Sequence, residues 1–126
     1  MIDIRDLTIK SHVLYNGEWE RIEHFDSRCI GFDDSVKFKF VTPDEVEPIP
    51  LTEEVLKKLG FDYLKVGWVL DNNDYEITID KSEINDWWWV NVMDYKETWR
   101  DNAIYIRYLH ELENFVFLIT KKRLKV

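Results

Sequence analysis

Apolar and polar positions alternate through the first part of the chain. Leu7, Ile9, Val13 and Tyr15 lead into Asn16-Gly17, and Trp19, Ile22 and Phe25 follow it. Asn-Gly between two apolar runs predicts a β-hairpin, because both central residues of a type I′ turn take positive φ. Cys29, Ile30 and Phe32 then lead through Asp33-Asp34-Ser35 into Val36, Phe38 and Phe40, with Lys37 and Lys39 alternating between them. That alternation is what a half-buried strand requires, so a second hairpin is expected. Short strands joined by tight turns over residues 1–48 predict a small SH3-like β-barrel or a strongly twisted sheet.

Glu47-Pro48-Ile49-Pro50 predicts an extended connector, since each proline removes a backbone donor. A short helix is expected over 51–61, with Thr52 as N-cap, Glu53 and Glu54 in the first turn, Lys57 and Lys58 in the last, and Gly60 as the left-handed residue beyond the end. From residue 63 the strand pattern returns: Val66, Trp68 and Leu70, a turn at Asp71-Asn72-Asn73-Asp74, then Tyr75, Ile77 and Ile79. Trp87 to Val92 and Ile104 to Tyr108 supply further strands, so the simplest topology is an antiparallel meander of four. Leu109, Leu112, Phe115, Val116 and Ile119 recur at helical spacing and predict a final helix ending at Thr120 or Lys121, laid over the sheet. The expected class is α+β: one compact unit over 1–126, with a β subdomain (1–48), a linker helix (51–61), and a sheet with its C-terminal helix (62–126).

Composition agrees with a folded chain. Of 126 residues 45% are hydrophobic and 33% charged, far from the profile of disorder. Cys29 is the single cysteine, which excludes an intrachain disulfide, and MIDIRDLTIK has neither the basic end nor the apolar run of a signal peptide. Charged residues interrupt every apolar segment, so no membrane association is expected and the location is read as cytoplasmic. The formal net charge is −8, although Lys121, Lys122, Arg123 and Lys125 make the last six residues basic. Such a surface repels phosphate backbones, so direct nucleic-acid binding is not expected and a basic protein partner suits it better. The same charge also serves solubility alone.

Two segments carry a family resemblance: Glu47-Pro48-Ile49-Pro50-Leu51-Thr52-Glu53-Glu54-Val55-Leu56 through Gly60-Phe61, and Ile106-Arg107-Tyr108-Leu109-His110-Glu111-Leu112-Glu113-Asn114. The chain resembles a group of small uncharacterised proteins of Bacteroides-like bacteria, their prophages and phages. These share an N-terminal β region, a PIPLTEE…L…GF helix and a YVHQLQNLYFALTGxEL ending. The pattern is left after Thr120, where Lys121 replaces the expected Gly, and Trp87-Trp88-Trp89 is this chain's own. The resemblance implies an architecture and a mobile-element setting, and no assigned activity.

Motifs with chemistry are few. His110-Glu111 opens like a zinc-peptidase helix, but the second His is absent, since position 114 is Asn. Asp71 to Glu76 resembles the start of a calcium loop with Glu76 where the turn needs Gly, and Ser82 where a bidentate Glu is needed. Cys29 with His12 or His24 would make a nucleophile and base, against which stands the ordinary reading of a lone cysteine in an apolar strand as a small buried hydrophobe. The four glycines are scattered, so phosphate-binding loops are absent, and a catalytic pair among the many carboxylates is left open. No cofactor, metal site or catalytic residue is assigned.

The tryptophans are the prominent candidates. In a strand Trp87 and Trp89 point to one face with Met93, while Trp88, Val90 and Val92 point to the other. If the first face is uncovered its indoles form a stacking platform; if covered they are core. Trp99, beside Arg100 in a polar stretch, is a further contact candidate. Acidic runs occur at Asp44, Glu45, Glu47, Glu53 and Glu54, and at Asp71, Asp74, Glu76, Asp80, Glu83 and Asp86. The expected binding set is Trp87, Trp89, Trp99, Asp71, Asp74 and Glu76. The expected function is a non-enzymatic, phage- or prophage-derived protein whose acidic and aromatic surface engages a protein partner, with inhibition of a defence or nucleic-acid-binding protein as one form of it. The alternatives are a ligand module or enzyme with a pocket lined by Trp87, Trp89, Tyr105 and His110, and an assembly component.

Overall fold

The computed structural model describes residues 10–26, 28–34, 37–64, 67–72, 74–94 and 101–124. The chain is α+β, mostly strand, and its described residues form two antiparallel five-stranded sheets and two α-helices. It divides into two compact units, the first formed by residues up to Pro50 with Tyr108–Asn114, the second by Leu51–Arg107 with the residues from Phe115 onward. Among the described residues no helix is long and apolar enough to cross a membrane.

The first unit holds β1 (His12–Tyr15), β2 (Glu18–Phe25), β3 (Ile30–Asp34), β4 (Lys37–Val41) and β5 (Val46–Glu47), in the order β4-β3-β2-β1-β5. Asn16 (φ 51°) and Gly17 (φ 81°) turn β1 into β2, as the Asn-Gly pair predicts. Leu7 and Ile9 of that expected hairpin, and Val36 of the next, lie outside the described residues. Val13, Ile22, Ile30, Phe32, Val41 and Val46 form the buried cluster, and the Tyr15 ring tilts against Phe32 at 5.9 Å.

The sheet is not a closed barrel, since β4 and β5 are its two edges. A 3-10 turn over Pro43–Glu45 separates those strands, and the Glu45 carboxylate accepts from the Thr42 backbone and hydroxyl at 3.2 and 3.0 Å. Strand β5 was hidden in the sequence because two residues cannot show an alternation; Val46 and Glu47 pair with Tyr15 and Leu14 just before the prolines end the ladder. A β-bulge between Ile22 and His24 shifts the β2–β3 register, so His24 lies opposite Gly31.

The second unit opens with α1 (Glu53–Lys58), and its caps are those read from sequence. The Thr52 hydroxyl accepts from the Val55 N–H at 3.2 Å. Beyond the helix Gly60 takes φ +95°, while the Phe61 N–H reaches the Leu56 carbonyl and the Gly60 N–H the Lys57 carbonyl, each at 3.0 Å. This is a Schellman closure, which satisfies carbonyls the helix leaves open. Thr52→Ala is expected to cost about 1 kcal/mol in urea unfolding, against a few tenths for Thr52→Ser, which keeps the acceptor.

The second sheet contains β6 (Asp62–Leu64), β7 (Gly67–Asp71), β8 (Tyr75–Lys81), β9 (Trp88–Asp94) and β10 (Asp101–Ile106), in the order β10-β9-β8-β7-β6. It is a meander of five strands where four were expected; β6 is too short to show a period, and Val66 lies outside the described residues. Helix α2 spans Leu109–Thr120, ending where its periodicity does; residues 109–114 group with the first unit and 115–120 with the second. Within the first unit Glu113 is buried and grips His12 of β1: Oε1 accepts the His12 backbone N–H at 2.8 Å and Oε2 lies 2.7 Å from its Nδ1.

Candidate functional site

Pairing in the second sheet sorts its residues into two faces. Ile77 lies across from Val92, Ile79 from Val90, and Trp88 from Ile106. These six positions with Trp68 and Tyr75 are buried, so one face of the sheet is core. The other face is read off the intervening positions. Asp80, Trp89 and Tyr105 form one row across β8, β9 and β10; Thr78, Asn91 and Ala103 form the next; Asp71, Glu76 and Met93 form a third. None of these nine is buried, which leaves this face half-open to solvent.

The sequence placed Trp87 and Trp89 on the face opposite Trp88, and the burial agrees: Trp88 is 4% exposed while Trp87 and Trp89 are half-buried. The Arg107 guanidinium lies 4.5 Å from the Trp87 ring centroid, a cation–π stack at the end of the aromatic row. Trp89 and Tyr105 line an open groove of about 470 Å³ with Asp80, Lys81, Ser82, Glu83 and Ile84. Tyr105 is 60% exposed and Ile84 93%.

Ile84 projects from a β8–β9 loop that is tied to itself. Ser82 donates its N–H to the Trp87 carbonyl at 3.0 Å, Ile84 its N–H to Ser82 Oγ at 3.2 Å, and Trp87 its N–H to Asn85 Oδ1 at 2.9 Å. Lys81 Nζ adds a bond to the Asn85 carbonyl at 2.5 Å. An aliphatic side chain held in water by a braced loop is an apolar anchor offered at little further ordering cost. Its signal in the sequence was a lone Ile between Ser82-Glu83 and Asn85-Asp86.

The acidic candidates separate. Asp71 and Glu76 share the open face with Trp89, and Asp80 stands beside it. Asp74 sits in the β7–β8 turn at the far end of β8, where its carboxylate meets Lys122 Nζ at 2.6 Å. Its N–H, and that of Tyr75 after it, donate to Asn72 Oδ1 at 2.8 and 3.0 Å, so the segment resembling a calcium loop is an Asx-type hairpin turn. Trp99 and Arg100 lie outside the described residues. Of the basic tail, Lys122 is occupied by Asp74, and the Arg123 guanidinium stacks 4.3 Å from the Phe117 ring.

The other sequence candidates have separate surroundings. His110 is 2% exposed in the first unit and stacks on the Tyr108 ring at 5.8 Å, while Tyr105 and Trp89 belong to the open face of the second. His12 is engaged by Glu113. Cys29 lies in the turn before β3, half-buried, where the sequence suggested a buried strand position. Burial pushes its thiol above the usual range, and the neighbouring Asp26 carboxylate adds to the shift. A nucleophilic cysteine needs the opposite shift. Comparisons of the chain with protein-family models, with curated proteins and with solved structures gave no match.

Proposed function

We propose that this protein is a non-catalytic binding protein that docks a basic protein segment on the open face of its second sheet. The observation that carries the reading is the row Asp80–Trp89–Tyr105 beside the exposed Ile84. Two aromatic walls, an aliphatic anchor and the carboxylates of Asp80 and Glu83 make a cradle suited to an Arg or Lys side chain. The ring faces attract the cation, the carboxylates pair with it, and aromatic residues dominate interface energetics. The net charge of −8 draws such a partner at long range. A nucleic-acid-binding or defence protein presents basic segments of this kind, and the resemblance to proteins of Bacteroides-like bacteria and their phages supplies a setting, the bacterial cytoplasm, in which blocking one is useful.

Two finer structural readings accompany this proposal. The order β4-β3-β2-β1-β5, the bulged β2 and the 3-10 turn before β5 support an SH3-like first sheet. Buried Phe115, Val116 and Thr120, grouped with the second sheet, support the end of α2 as the cover of its core face.

The test is a photo-crosslinking residue at position 84, with one at exposed Leu118 as control, in cells of the native host. A discrete adduct with a basic protein is expected at 84 only. Trp89→Ala and Tyr105→Ala should each weaken binding of that protein at least about tenfold. Equal labelling from both positions, or binding indifferent to both substitutions, would remove the proposal.

A further inference from the structure

We propose that His24, Asp26 and Cys29, around the β2–β3 turn, form a binding site for one zinc ion, with water completing the coordination. The site lies in the first unit and is independent of the aromatic face of the second.

The backbone brings the three ligands together. Without the bulge in β2, His24 would alternate onto the face of fully buried Ile22; the extra residue turns the imidazole outward instead. His24 then lies across from Gly31, and Gly31 across from Phe40. With no side chain between them, the His24 and Phe40 rings meet edge-on at 5.8 Å, which fixes the imidazole plane. The turn is built around Asp26, whose N–H donates to the Cys29 carbonyl at 3.0 Å. Asp26 Oδ1 accepts the N–H groups of Arg28 and Cys29 at 2.8 and 3.0 Å. One carboxylate oxygen is thus committed to the turn, and the other is aimed at the remaining two ligands.

The distances suit an ion. Asp26 Oδ2 is 3.3 Å from His24 Nε2 and 3.8 Å from Cys29 Sγ, and all three atoms lie within 4.8 Å of one another. A tetrahedral zinc with N and O ligands at about 2.0–2.1 Å and S at about 2.3 Å separates its ligand atoms by about 3.3–3.6 Å, so the ligands need to close by only a few tenths of an ångström to an ångström on binding. The donor set selects the metal class. One imidazole, one thiolate and one carboxylate are borderline-soft ligands that suit zinc, whereas calcium and magnesium need several oxygens. His24 and Asp26 are about half exposed (48% and 52%), which leaves an entry path and a position for water. On binding, Cys29 coordinates as the thiolate and its proton passes to bulk water.

The experiment uses the full chain, reduced and stripped of metal with a chelator, then titrated with Zn²⁺ and separately with Co²⁺. One zinc per chain is expected, with a Kd on the order of micromolar or below. The cobalt form should show a thiolate-to-metal charge-transfer band and intense visible bands of tetrahedral geometry. Saturating zinc should slow alkylation of Cys29 at least about tenfold, as for a metal-held thiolate. Cys29→Ser and His24→Ala should each weaken zinc binding by about 10- to 100-fold while keeping the circular dichroism of the parent, and Glu53→Gln on α1 should bind as the parent does. The proposal is overturned by absence of stoichiometric zinc at micromolar concentration, by zinc affinity unchanged in Cys29→Ser, or by a cobalt spectrum of the unsubstituted chain without the sulfur band. The last readout needs no substitution and stands even if a variant unfolds.

Discussion

Trp88→Ala is expected to remove about 3–5 kcal/mol of folding stability, while the same truncation one residue later, Trp89→Ala, stays within about 1 kcal/mol. The two indoles are chemically identical and adjacent, so the contrast comes only from the face each occupies. Trp88 shares the core face with Val90 and lies across from Ile106 on β10 and Lys81 on β8. It is 4% exposed, its ring N–H donates to the Leu51 carbonyl at 3.1 Å, and the Lys81 ammonium sits 5.7 Å from its centroid. Truncation leaves a cavity the size of an indole and strips a buried carbonyl of its donor, which adds about 1 kcal/mol or more. Against a total stability of about 5–15 kcal/mol, Trp88→Ala brings the chain near its unfolding midpoint on warming. Urea unfolding followed by circular dichroism measures both variants. Equal losses would mean that the sheet is covered on both sides, and the docking face would go with it.

The parts of this fold that were legible in the sequence are those set by neighbouring residues. Asn16-Gly17 specified its turn, Thr52 and Gly60 the two ends of α1, and the alternation through Tyr75–Ile79 and Trp88–Val92 the buried face. The remainder depends on register between distant segments. The bulge that exposes His24 changes which residues face each other without leaving a mark in the alternation. Strand periodicity told that Trp89 and Trp88 part company, yet not that Tyr105 and Asp80 flank Trp89, because that needs the pairings of β9 with β10 and β8. For the same reason Asp74 looked equivalent to Glu76, although one ends in a turn against Lys122 and the other lies on the open face.

Glu113→Ala is the second substitution with a large expected cost, about 3–5 kcal/mol, and the reason is a carboxylate in an apolar stripe. Leu109, Leu112, Glu113 and Val116 recur at helical spacing along α2, and the three aliphatic residues are fully buried. A charged group at such a position is costly unless both oxygens are satisfied. Here both are satisfied by one residue 101 positions away: Oε1 takes the His12 backbone N–H, and Oε2 the imidazole at Nδ1. The imidazole is itself mostly buried and tilts against Trp19 at 6.2 Å, so neither partner has water to fall back on. Removing the carboxylate therefore leaves two donors on His12 without an acceptor, whereas Glu113→Gln keeps an acceptor for the backbone N–H and should cost about 1–2 kcal/mol. His12→Ala exposes the converse fault, a buried carboxylate left with one donor, and the double variant should recover about 1–3 kcal/mol relative to the sum of the singles. Urea unfolding of the four chains gives that coupling, and amide exchange at residue 12 in Glu113→Ala should accelerate with it. A coupling near zero, with exchange unchanged, would show that the pair forms without holding α2 to β1.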